Sequence, residues 1–118
     1  MVFVKLTNGF GNNLFQYIAG RLLAEHHSKK LILIPPFKDY YALSDIEQLN
    51  LFYDDISYNI DDKNIIRVQD NEYLLAFNKQ MKNNDILLDG YFEDYTFYYD
   101  HIDHIKTWFK IPETKNNE

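Results

Sequence analysis

Apolar positions in this chain fall into short blocks whose spacing changes from one block to the next. Val2-Phe3-Val4-Lys5-Leu6 is β-branched and almost continuously apolar, the pattern of a strand buried on both faces of a parallel sheet. The spacing then turns helical. Leu14, Phe15, Ile18, Ala19, Leu22 and Leu23 share one half of a helical wheel, with Gln16, Gly20 and Ala24 outside it. This helix is expected to begin at or just after Asn12, with the Asn12-Asn13 pair as N-cap. It should end near His26-His27-Ser28, where Lys29-Lys30 suits the negative end of the helix dipole. Leu31-Ile32-Leu33-Ile34 reads as a second strand, stopped by Pro35-Pro36.

From Phe37 to Asn59 the pattern weakens to a loop holding one short helix near Ser44-Asp45-Ile46-Glu47, with Ser44 as its cap. Ile65–Val68 predicts a third strand, and Tyr73, Leu74, Phe77 and Met81 predict a helix between Asn71 and Met81. Ile86 to Phe92 reads as a buried strand running into Gly90. Ile102, Ile105, Trp108 and Phe109 mark a last helix that Pro112 ends. Alternating strands and helices give an α/β fold, a Rossmann-like parallel sheet with flanking helices. Residues 1–112 form one domain in this reading, and 113–118 a polar, frayed tail. Ligands in such sheets collect beyond the carboxyl ends of strands. The Gly9–Asn13 turn and the Gly90-Tyr91-Phe92 segment both fall there.

Composition narrows the classes. A chain of 118 residues that is 46% hydrophobic can bury a real core without staples. Its formal net charge of −6 argues against a nucleic-acid partner, which would need a basic stripe. Cysteine is absent, so disulfides and zinc–thiolate sites drop out and a reducing compartment fits. No apolar run approaches the ~20 residues of a transmembrane span, and no signal peptide is visible. A cytoplasmic or peripheral-membrane location is expected.

The candidate chemistry gathers at Gly9-Phe10-Gly11-Asn12-Asn13. Two glycines let the backbone turn sharply, and a helix start behind them suits an anion. The dinucleotide fingerprint G-x-G-x-x-G is met at Gly9 and Gly11 but fails at Leu14. Pro35-Pro36 also stands where a ribose-binding acid would follow the second strand. No Gly-Lys-Ser/Thr follows, which excludes a Walker-type loop. His101-x-x-His104, flanked by Asp100 and Asp103, has metal-pair spacing without a third ligand, and solvated histidines are the simpler reading. His26-His27 fits a helix end. The aromatic run from Tyr91 to Tyr99 could stack on sugar faces, with half of it expected in the core.

Gly9-Phe10-Gly11-Asn12-Asn13-Leu14-Phe15-Gln16-Tyr17-Ile18-Ala19-Gly20-Arg21 resembles the opening motif of the α-1,2-fucosyltransferases, glycosyltransferase family 11: a strand, then G-G-L-G-N-Q-L-F-Q-Y-A-x-x-R. Tyr41-Ala42-Leu43 to Leu51-Phe52 is similar to that family's Tyr-x-Leu…Phe-x-Ile stretch. Leu88-Asp89-Gly90-Tyr91-Phe92-Glu93-Asp94-Tyr95 is similar to its L-x-G-Y-F-Q-S segment, and a helix like Ile102 to Phe109 follows in the same order. Asn8, Phe10, Asn13, Glu93 and Asp94 depart from the pattern. The resemblance implies the N-terminal lobe of a GT-B-type enzyme and an inverting transfer of fucose from GDP-fucose to a galactoside 2-hydroxyl. It also implies no metal and no cofactor beyond that donor. Gly9, Gly11, Asn12 and Asn13 would face the donor, Tyr91, Phe92 and Glu93 would lie on the acceptor side, and Gln16 and Arg21 would be structural. The catalytic base is not indicated. The family's His-x-Arg segment, which holds the donor diphosphate, has no counterpart here. The chain is therefore expected to be a fragment, inactive without the C-terminal lobe that would be its partner. The alternatives are a non-catalytic binding module that keeps the fold and, fitting less well, a small NAD-binding oxidoreductase domain.

Overall fold

The computed structural model describes residues 1–60 and 64–109. Five parallel strands run β1 (Val2–Lys5), β2 (Leu31–Ile34), β3 (Asp55–Ile56), β4 (Ile65–Val68) and β5 (Asp85–Leu88), in the spatial order β3-β2-β1-β5-β4. The helices are α1 (Phe10–His26), α2 (Ala42–Gln48), α3 (Tyr73–Asn78), α4 (Tyr95–Tyr99) and α5 (Ile102–Trp108). This is the expected Rossmann-like α/β arrangement. The stop at Pro112 and the tail 113–118 lie outside the described residues.

β1 is central, with Val2 opposite Leu31 on one side and Ile86 on the other. Val2, Val4, Leu31, Leu33, Ile86 and Leu88 face one way and build the main core, to which every helix contributes buried side chains. Phe3, Ile32 and Ile34 face the other way in a smaller cluster, packed by Ile60, Ile65 and Leu87. That asymmetry follows from topology. After β3 at one edge the chain must reach β4 at the opposite edge, roughly 19 Å away across four strand spacings. Ile60, in the segment that follows β3, packs on the second face.

Several expected boundaries shift. α1 begins at Phe10 with Gly9 as N-cap, not at an asparagine cap, because Gly9 takes φ 120°. Its first helical bond runs from Asn13 N–H to the Gly9 carbonyl at 3.1 Å. Ser44 lies inside α2, its hydroxyl donating to the Tyr41 carbonyl at 2.8 Å. The Asn71–Met81 helix is a 3-10 turn, Asp70–Glu72, followed by the short α3. β5 ends at Leu88, so Gly90-Tyr91-Phe92 is loop. β3 and α4 are additions to the expected elements.

On α1 the buried face agrees with the expected one at Ala19, Leu22 and Leu23 but is rotated at its amino-terminal half. Its buried residues are Asn13, Gln16, Tyr17, Ala19, Gly20, Leu22, Leu23 and Ala24, while Leu14, Phe15 and Ile18 are only half-buried. Gly20 sets this orientation. A Cβ there would sit 2.1 Å from Val4 Cγ2, so only glycine lets the helix come this close to β1. Phe15 and Ile18 turn instead toward α4 and α5, where Phe15 stacks on Tyr98 at 6.3 Å between ring centroids.

Candidate functional site

The β1–α1 corner lies at the carboxyl end of the central strand, beside the end of β5. Gly9 permits the turn, and the first-turn N–H groups of Phe10, Gly11 and Asn12 have no intrahelical partner. Gly11 is exposed, and a Cβ built on it meets nothing within 4 Å. Asn12 is half-buried at the lip. Of the four corner residues singled out, Gly9, Gly11 and Asn12 reach the surface.

Asn13 does not. It is fully buried and forms, with Gln16, Tyr40 and Thr7, a closed polar knot beneath the corner. Asn13 Nδ2 donates to the Thr7 carbonyl at 2.7 Å and to Gln16 Oε1 at 3.1 Å. The Tyr40 hydroxyl donates to Asn13 Oδ1 at 2.7 Å and accepts the Gly9 N–H at 2.9 Å. Gln16 Oε1 also accepts the Thr7 N–H at 3.1 Å. Gln16 Nε2 donates to Thr7 Oγ1 at 3.1 Å and to the Gly90 carbonyl at 2.8 Å. Every proton of both amides has a partner. Flipping Gln16 would set its NH2 against the Thr7 N–H, so the surroundings fix its orientation. Asn13 thus shapes the corner from below.

The β5 side of the rim is held from two directions. Gln16 fixes the Gly90 carbonyl. Asp70, just after β4, accepts Tyr91 N–H at 3.1 Å and Phe92 N–H at 2.9 Å. Gly90 makes room for that carboxylate, since a Cβ there would lie 1.9 Å from Asp70 Oδ1. Of the acceptor-side candidates, Tyr91 and Glu93 are exposed. Phe92 is buried with φ 56° and packs on Tyr73 at 5.5 Å between centroids. Its carbonyl accepts the Tyr98 hydroxyl.

Other candidates have structural occupations. Arg21 stacks 4.4 Å from the Trp108 ring and pairs with Glu25 at 3.1 Å, tying α1 to α5. His104 meets Glu25 Oε1 at 2.6 Å, while His101 is half-buried against Phe77 and Phe97, so the two histidines do not converge. Among the described residues no three metal-ligating side chains cluster, and no helix is long and apolar enough to cross a membrane. His27 Nε2 lies 2.9 Å from the Ala76 carbonyl, and His26 stacks on Phe77. Arg67 at the end of β4 is a cation near the rim, committed to Asp89 at 2.7 Å.

Hydrophobic patterning gives no hint of Tyr40 or Asp70 and places Gln16 on the polar side of its helix. The available signal is an amide pair three residues apart, close behind a glycine turn. Amides on a helix's sheet-facing side need partners, and a strand end supplies them.

Burial has a pH consequence. It raises the Tyr98 hydroxyl's pKa well above its ordinary value, with further contributions from Asp94 and Asp70, and burial also raises that of Tyr73. Unfolded tyrosines titrate near 10, so above that pH the unfolded chain loses protons that the native state keeps. Stability should be flat with respect to these groups below pH ~10 and fall as pH rises toward the folded values. The loss is about 1.4 kcal/mol for each tenfold by which the fold weakens the acid. Urea unfolding at pH ~9 and ~11, with tyrosinate absorbance followed in the folded state, checks this. Simultaneous titration of all ten tyrosines without loss of stability would refute it.

Comparison with protein families, with curated proteins and with solved structures finds no match to this chain.

Proposed function

We propose that this chain forms the acceptor-side lobe of an α-1,2-fucosyltransferase-type glycosyltransferase, which would move fucose from GDP-fucose to a galactoside 2-hydroxyl. One observation carries the reading. Two of the segments that resemble the family's motifs lie far apart in sequence, yet they meet at adjacent strand ends through the bond from Gln16 to the Gly90 carbonyl, 74 residues away. Inverting transfer needs a base for the acceptor hydroxyl and positive charge or N–H dipoles on the leaving diphosphate. The first-turn N–H groups of Phe10, Gly11 and Asn12 suit the second requirement in part. Arg67 is held by Asp89, so in this reading the diphosphate's cation comes from a second lobe. The chain alone then binds nucleotide weakly and does not turn over.

The test is GDP titration followed by amide NMR. Weak binding should move the Gly9, Gly11 and Asn12 signals. Gly11→Ala should leave the melting temperature unchanged, since its Cβ meets nothing, yet reduce those shifts by blocking close approach. Shifts confined to other parts of the sheet would sink the donor-facing assignment. Fucosyl transfer by the chain alone would sink the need for a second lobe.

A further inference from the structure

Among the residues that follow β4 and β5, with Asp70 in its lining, lies a cavity of about 460 Å³. That is within the range of small-ligand sites. Its aromatic wall is built from Tyr73, Phe92, Phe97 and Tyr98, with Tyr73 and Phe97 edge-to-face at 5.2 Å between centroids. Around this wall stand four carboxylates, Asp70, Glu93, Asp94 and Asp100, and among the described residues no lysine, arginine or histidine lines the cavity.

The carboxylates differ in availability. Asp70 is committed to two backbone N–H groups, and Asp94 accepts the Thr96 N–H at 3.0 Å as the cap of α4. Glu93 and Asp100 are exposed and make no hydrogen bond or ion pair among the described residues. The local potential already acts on the protein, because Asp94 and Asp70 add to burial in holding the Tyr98 proton.

We propose that this cavity binds a small alkylammonium ligand, seated against the aromatic wall and neutralised by Glu93 and Asp100. Both parts of the site favour the same charge. Ring faces carry negative quadrupole density that attracts cations, most strongly where water is excluded. Carboxylates at the mouth of a low-dielectric hollow concentrate a negative field there. An anion meets repulsion from both, and a neutral polyol leaves Glu93 and Asp100 without a counter-charge. This assignment rests on the cavity alone and does not require a sugar nucleotide at the β1 corner.

The experiment is calorimetric titration of the chain with choline and with its uncharged isostere, in which a quaternary carbon replaces the nitrogen. Choline should bind saturably and about tenfold or more tightly than the isostere. Binding should weaken with added salt. Glu93→Gln and Asp100→Asn should each weaken choline severalfold without changing the melting temperature, because neither side chain has a partner to lose. Equal binding of the isostere, indifference to both substitutions, or no saturation by choline would each overturn the proposal.

Discussion

Replacing Gln16 by leucine should lower the unfolding free energy by about 3 kcal/mol or more, although leucine is close to glutamine in size and suits a buried position. The substitution removes four hydrogen bonds and leaves the Thr7 N–H and the Gly90 carbonyl without partners below the corner. Each buried group left unpaired costs about 1–3 kcal/mol, and Asn13 loses an acceptor as well. For a domain of this length the melting temperature should fall by roughly 12 °C. Gln16→Glu sharpens the test. An ionised carboxylate still accepts from Thr7 and Asn13 but cannot donate to Gly90, whereas the protonated acid can. Burial would raise that acid's folded pKa above its unfolded value of about 4.3. The variant's stability should then approach the parent's below pH ~4 and decline as pH rises through the folded pKa. A leucine variant melting within about 3 °C of the parent, or a glutamate variant indifferent to pH, would show that the knot is not what joins the two strand ends.

How far the sequence reveals this arrangement can be judged from α1. Hydrophobic spacing locates the helix, its carboxyl end and the strands on either side, because β1 and β2 are apolar on both faces and pattern alone identifies them. The same spacing finds only part of the buried face: Ala19, Leu22 and Leu23 are buried as expected. It also groups with them Leu14, Phe15 and Ile18, which pack only half-buried against the core, and leaves out Gly20, which gives closeness, and Asn13 and Gln16, which are buried for their hydrogen bonds. A wheel weighs each side chain by its average preference for water and cannot include a partner that folding brings from 74 residues away. The short elements fail for a related reason. β3 has two residues and is set by pairing with Ile32 and Leu33, and α4 has five residues capped by Asp94. Tertiary contacts, more than propensity, make elements of that length. The glycine corner is legible because its requirement is local: Gly9 must adopt φ 120° wherever the rest of the chain goes. Its coupling to Gly90 is non-local and needs the fold.

That coupling has a second support, and Gly90→Ala should expose it as a large loss with an unusual remedy. An added Cβ would lie 1.9 Å from Asp70 Oδ1 and 3.0 Å from its Cγ, so the carboxylate must leave. It cannot swing away freely, because its oxygens hold the Tyr91 and Phe92 N–H groups that shape the loop after β5. Overpacking of this kind costs about 1–3 kcal/mol, with the lost hydrogen bonds added to it. Asp70→Ala alone should cost about 1–2 kcal/mol, since Phe92 N–H is half-buried while Tyr91 N–H can turn to water. The double variant removes the atoms the new Cβ would strike, leaving the Asp70 backbone nitrogen at 3.3 Å as the next neighbour. Its loss should therefore be clearly smaller than the sum of the two single losses, with an interaction energy on the order of 1 kcal/mol or more. Strict additivity in urea unfolding of the four proteins would mean that Gly90 is required for some reason other than Asp70. A shortfall from additivity would place the glycine and the carboxylate in one device, the clamp that fixes the β5 side of the rim opposite the β1 corner.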